Sequence, residues 1–167
     1  MSRHSLCAAL CTVALTLSPA LTFAQATKAA PKAAAKAAPK AGAVKTVNLT
    51  GSDNMKFAPA VIRVKAGDTV KVNLKTVSTM PKMAMAHNFV LLKAGTDPAA
   101  VATASAMARP TFIAPKFKSQ IIASTALAGG GETVSVEFTA PAAGKYTFIC
   151  TFPGHFQGGM VGQLIVE

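Results

Sequence analysis

The chain has 167 residues, 51% of them hydrophobic and 14% charged, which is enough for one sizeable core and too apolar for a chain disordered throughout. Seventeen Lys and Arg against six acids give a formal charge of +11 and favour acidic partners or surfaces. With no Trp and a single Tyr the chain lacks the stacking platform of single-strand binders, so no nucleic acid is expected, and three cysteines exclude a framework of several disulfides.

Arg3 and His4 precede an apolar run over residues 6–17, Pro19 interrupts it, and Ala24-Gln25-Ala26 supplies the small residues that a signal peptidase needs at its cut. The run is shorter than the ~20 residues required to cross a bilayer. Residues 1–26 therefore read as a cleaved signal peptide, and the expected location is the periplasm. Cys7 and Cys11 leave with that segment, so Cys150 remains as a lone thiol in an oxidising compartment, which needs a chemical reason.

Residues 27–44 are almost wholly Ala, Lys and Pro, with Lys28, Lys32, Lys36 and Lys40 spaced by four. A helix is disfavoured because Pro31 and Pro39 each remove a donor and because lysines four apart repel along one face. The segment reads as a flexible, solvated linker whose charge suits contact with an anionic membrane surface or an acidic partner.

From Lys45 the texture changes to short alternating runs. Val47 and Leu49, then Val61, Ile62 and Val64, then Val70, Val72 and Leu74 carry the period of strands. Further strands are expected at 88–92, 120–124, 133–139, 145–150 and 161–166, separated by turn signals at Gly51, Ala66-Gly67-Asp68, Gly129-Gly130-Gly131 and Ala143-Gly144. About eight strands predict an all-β domain over 45–167, a two-sheet antiparallel sandwich. Thr96-Asp97-Pro98 resembles a helix N-cap with proline in the first turn, which predicts one short inserted helix in the Ala-rich sequence before Pro110.

The segment from Cys150 to Met160 reads CTFPGHFQGGM and places a thiol, the His155 imidazole and a thioether in one short stretch. In the strand that ends here Tyr146, Phe148 and Cys150 share a face, so the thiol points inward. Pro153 and Gly154 turn the chain back, and the flexible Gly158-Gly159 pair lets Met160 approach the same point. The other histidine left after signal removal is His87, at the start of a strand. Each of these residues alone reads as an ordinary core side chain. Together, two His, one Cys and one Met form the ligand set of a blue copper centre, a trigonal plane of two imidazoles and a thiolate with a long axial thioether.

The stretches CTFPGH at 150–155, MAHNFVL at 85–91 and VNLTGSDNMKFAPAVIRVKAGDTVKVNL at 47–74 resemble azurin-like blue copper proteins of the cupredoxin family, with a loop spacing after the second histidine closer to auracyanin and plastocyanin. The resemblance covers 45–167 and implies a cupredoxin-like Greek-key β-sandwich holding one type 1 copper ion. It implies His87, Cys150 and His155 as equatorial ligands and Met160 as the axial one, with the Ala86 backbone carbonyl on the opposite side where azurins carry glycine. It further implies that Asn88 fastens the two ligand-bearing segments and that the amides of Asn88 and Phe152 point at the Cys150 sulfur. An apolar patch of Met85, Phe152, Pro153, Gly154 and Phe156 around His155 would be the exit for electrons.

The chain departs from that pattern in having four residues between His155 and Met160 where azurins have three, no disulfide and no buried tryptophan. The function expected is single-electron transfer by a monomer, not an enzyme, with redox proteins such as c-type cytochromes or copper or haem reductases as partners, probed through an acidic docking face. The competing readings are a copper store or delivery protein that uses the run Met80, Met83, Met85, and a thiol nucleophile built on Cys150. An inward-facing cysteine followed by Pro-Gly offers the latter no cleft.

Overall fold

The structure, a computed structural model, describes residues 44–167. The expected signal peptide lies outside the described residues, as does the linker apart from Val44, which already pairs with Thr69 in the first strand. The domain is a Greek-key β-sandwich with one short helix, formed by the strands β1 (Val44–Ser52), β2 (Lys56–Ala58), β3 (Val61–Val64), β4 (Thr69–Val77), β5 (Ala86–His87), β6 (Val90–Leu92), β7 (Ile121–Ser124), β8 (Ala128–Gly129), β9 (Thr133–Thr139), β10 (Gly144–Ile149) and β11 (Val161–Val166). One sheet has the order β2-β1-β4-β9, the other β3-β11-β10-β6-β7, and β5 pairs with β8 as a separate two-stranded ribbon. Among the described residues no helix is long and apolar enough to cross a membrane.

Alternation decides which face is buried. Val47 and Leu49 on β1 and Val70, Val72 and Leu74 on β4 point into the sandwich, aligned pair by pair as Val47 with Val72 and Leu49 with Leu74. They meet Ile62, Phe89, Phe148 and Leu164 from across the interface, with Phe57 of β2 beside them on their own sheet. Phe148 contacts Phe57 edge-on at 5.2 Å between ring centroids and Phe89 at 5.0 Å, so phenylalanines fill the centre. A second, smaller cluster lies on the outer face of the five-stranded sheet, where Val90, Leu92 and Ile149 pack under Val101 and Ala102 of the helix.

The sandwich is not wholly antiparallel, contrary to the expectation from the strand pattern. β1 pairs with β4, and β3 with β11, in parallel. The chain leaves the first sheet after β2, contributes β3 to the second sheet and returns as β4 beside β1. Such a crossover brings the returning strand back in the starting direction, which alternation within each strand does not encode.

The helix α1 (Pro98–Ser105) starts as expected, with the Asp97 side chain accepting the Ala99 amide at 2.9 Å and proline at the first position. It stops well before Pro110 because the fully buried Ser105 is used elsewhere: its hydroxyl accepts the Ala114 amide at 3.1 Å and ties down the chain that follows. A 3₁₀ turn at Pro115–Gln120 takes the start of the expected strand at 120–124, which begins one residue later. Gly51 proves to be an inward-facing residue inside β1 and not part of the turn after it.

Candidate metal centre

β5 delivers His87, and β10 delivers Cys150 one residue past its end, with Ile149 facing the helix and Cys150 facing the sandwich. The loop from Cys150 to Met160 is closed at its neck by the Cys150 amide, which donates to the Met160 carbonyl at 3.2 Å. Inside the loop the amides of His155, Gly158 and Met160 donate to the carbonyls of Phe152, Gly154 and His155 at 3.1, 2.9 and 2.9 Å. These bonds hold His155 over the thiol without help from a regular element.

The segments that carry His87 and Cys150 are bolted together by Asn88. Its side-chain carbonyl accepts the Thr151 amide at 2.8 Å, and its amide group donates to the Thr151 hydroxyl at 2.8 Å. That hydroxyl in turn donates to the Phe112 carbonyl at 2.5 Å, which adds the loop after the helix to the same network. Asn88, Thr151 and Phe112 are all buried, so the network fixes geometry at little entropic cost. The role of Asn88 follows the expectation; the part of Thr151 and Phe112 does not show in sequence spacing.

The structure brings His87, Cys150 and His155 within reach of one another as a buried cluster of potential metal ligands. His87 Nδ1 lies 3.1 Å from His155 Nδ1, and Cys150 Sγ lies 4.0 Å from the first and 3.5 Å from the second. The point equidistant from those three atoms is about 2.1 Å from each, inside the ~2.0–2.3 Å that zinc takes to imidazole nitrogen and thiolate sulfur. Met160 is fully buried beside them. A methyl group built on Gly51 would stand 2.8 Å both from the His87 ring and from the Met160 methyl, so those two side chains meet over Gly51. Ala86, also fully buried, pairs with Gly129 immediately before His87.

The electrostatics suit a cation and not protons. Burial pushes the Cys150 thiol up to about 11, against the opposing pull of the Asn88 and Phe152 backbone amides that face its sulfur. Burial also takes His155 down to about 4, helped by the charge of His87. His87 is lowered by burial, with the Asp53 charge and the nearby Ser52 carbonyl acting the other way. That carbonyl does not reach hydrogen-bond geometry, and His87 Nε2 is buried with no partner. Two neutral imidazoles and a thiol aimed at one point in an apolar core leave donor atoms that only a positive ion satisfies together.

Metal uptake should therefore liberate a single proton per ion near neutral pH, from Cys150, because both imidazoles are already neutral there. Below about pH 4 His155 is protonated and must also be displaced, so affinity falls faster with acidification in that range. Titration in a weakly buffered solution with a pH indicator checks the count; release of two or more protons at pH 7 would contradict it.

The description "Copper binding proteins, plastocyanin/azurin family" matches the chain over residues 44–167. The chain belongs to that family. It is 43% identical to auracyanin-A of Chloroflexus aurantiacus over 117 residues, 69% of this chain and 69% of that protein. It is 39% identical to azurin iso-2 of Methylomonas sp. strain J over 124 residues, covering 71% of this chain and 95% of the relative. The solved structure of auracyanin A, described as a "blue" copper protein, superposes with a TM-score of 0.67 at 40% identity and covers 74% of this chain and 99% of that one. This is a blue copper electron-transfer protein, and its metal is copper.

The patch expected around His155 needs one correction. Phe152 and Phe156 are half-buried and Pro153 and Gly154 are exposed, but Met85 is buried and contributes only a small edge. Phe152 packs at a tilt against the His155 ring at 4.8 Å between centroids and against Phe112 at 5.2 Å, leaving His155 only 4% exposed.

Proposed function

We propose that this cupredoxin is a periplasmic carrier of single electrons, with His87, Cys150 and His155 as equatorial copper ligands, Met160 as the axial ligand and the Ala86 carbonyl on the opposite side. The observation that carries this reading is the convergence of two imidazole nitrogens and one sulfur on a common point inside a closed, buried loop. Bound copper supplies reversible one-electron exchange between its two oxidation states. The chain's own contribution is rigidity. Asn88 and Thr151 fix the strand ends, the neck bond between Cys150 and Met160 fixes the loop, and the core excludes water from the donors.

The amides of Asn88 and Phe152 withdraw electron density from the sulfur, and burial disfavours extra charge; both favour the reduced state. Electrons pass at the apolar surface formed by Phe152, Pro153, Gly154 and Phe156, where His155 lies closest to solvent. Such a small face suits brief encounters with c-type cytochromes or copper or haem reductases, and the chain's positive charge steers partners with an acidic face. Residues 1–26 are read as the export signal, and residues 27–44 as a linker that lets a monomeric domain stay near an anionic membrane surface.

The test is an optical and electron-spin-resonance spectrum of the purified, oxidised protein with its metal quantified. Intense blue colour that bleaches reversibly on reduction supports the carrier; stoichiometric copper without colour points to storage instead. Replacing Met160 with Leu should leave copper bound and raise the potential, because an apolar group then faces the more highly charged state. The expected size is roughly tenfold in the reduction equilibrium, about 59 mV for one electron. Equilibrium voltammetry measures it, and an unchanged potential would remove Met160 from the axial role.

A further inference from the structure

The turn between β1 and β2 touches the ligand loop at two adjacent glycines. Met55 has φ 54°, a left-handed conformation that costs a bulky residue about 1–3 kcal/mol, and its amide donates to the Ser52 carbonyl at 2.9 Å. Met55 of this turn and Lys56, the first residue of β2, meet two successive glycines of the loop. A methyl built on Gly158 would stand 2.6 Å from Met55 Sδ, and one built on Gly159 would strike Lys56 Nζ. Lys56 Nζ donates to the Gly158 carbonyl at 3.1 Å and to the Gly159 carbonyl at 3.3 Å. Lys56 belongs to neither of the ion pairs found among the described residues, Arg63 with Glu167 and Lys82 with Glu132, so these loop carbonyls are what its ammonium engages.

The loop needs such an outside hold. Between His155 and Met160 it carries Phe156, Gln157 and the Gly158-Gly159 pair, and Gly159 sits at φ 89°, where no side chain is comfortable. Paired glycines leave the backbone free to adopt many conformations, and the next residue is Met160. The bonds inside the loop set its curl, whereas only contacts from another part of the fold set its height above His87. The same end of the hairpin already provides one such contact, because Gly51 receives the Met160 methyl together with the His87 ring.

We propose that Lys56 is a positioning residue of the copper centre. By gripping the carbonyls of Gly158 and Gly159 it fixes the span between His155 and Met160 and thereby the approach of the thioether, and its positive charge favours the less positive, reduced state. This rests on the ligand assignment proposed above.

The test compares Lys56→Met, which keeps the aliphatic stem and loses charge and donors, with Lys56→Arg, which keeps both. Three quantities are read in the copper-loaded and metal-free full chain. The amides of Gly158 and Gly159, which donate to Gly154 and Phe156 at 2.9 Å each, should exchange with solvent about fivefold faster in metal-free Lys56→Met. The potential of the copper form should fall, and the relative intensities of its visible bands should change; Lys56→Arg should restore all three. A Lys56→Met protein that melts earlier but keeps the wild-type exchange rates, potential and band ratio would overturn the proposal and leave Lys56 a stabilising residue only. A wild-type protein without the blue bands would overturn the ligand assignment as well.

Discussion

Replacing Cys150 with Ser should abolish the intense visible absorption of the oxidised protein entirely, while the metal-free domain keeps its fold. The colour of a blue copper centre comes from charge transfer out of the thiolate, and the chain offers no second thiol among the described residues to replace it. A serine hydroxyl is a hard, weakly acidic donor and binds Cu(I) far less well than thiolate sulfur. The apo fold should change by only ~1 kcal/mol, since the buried oxygen still faces the Asn88 and Phe152 amides that face the sulfur. Absorption spectra and thermal melts of the two proteins decide it, and a variant that retained full colour would mean that the sulfur is not a ligand.

The second large effect is expected at a residue that binds nothing. Gly51→Ala should weaken copper binding by about 10–100-fold, the range seen when the immediate supports of metal ligands are altered. Its Cβ would enter the space that the His87 ring and the Met160 methyl share, 2.8 Å from each. The thioether end has room to swing, but the imidazole is locked between Gly51, His155 and the fully buried strand that carries it, so the ring must move. Overpacking of this kind also costs the fold about 1–3 kcal/mol. Copper titration against a competing chelator measures the first effect and melting of the apo protein the second; wild-type affinity would show that the centre tolerates a displaced His87.

Much of this site could be read from residue types. Cys150, His155 and Met160 stand in one short segment and His87 is the one other histidine among the described residues, so chemistry alone grouped them, and the coordinates place His87, Cys150 and His155 around one point. The long strands were equally plain, because Val47, Leu49, Val70, Val72 and Leu74 alternate without interruption. What stayed hidden depends on partners distant in the chain. The two-residue strands β5 and β8 are too short to carry a period, and they exist because Ala86 and His87 find Gly129 and Ala128. Parallel pairing of β1 with β4 depends on which sheet β3 joins. Gly51 looked like turn chemistry, although its place two residues after the inward-facing Leu49 was the available clue that a side chain from elsewhere occupies the missing Cβ.

The main-chain bond between Cys150 and Met160 separates two problems that a redox protein would otherwise have to solve jointly. Both ends of the segment are anchored on neighbouring strands, β10 and β11, whose pairing runs from Ile149 with Val161 to Gly144 with Val166 and does not depend on what lies beyond. Residues can be added or removed between those anchors without shifting the scaffold beneath. The span is therefore a cassette set on an independent scaffold, its length bearing on the geometry offered to the ion while the paired strands of the sandwich keep their register.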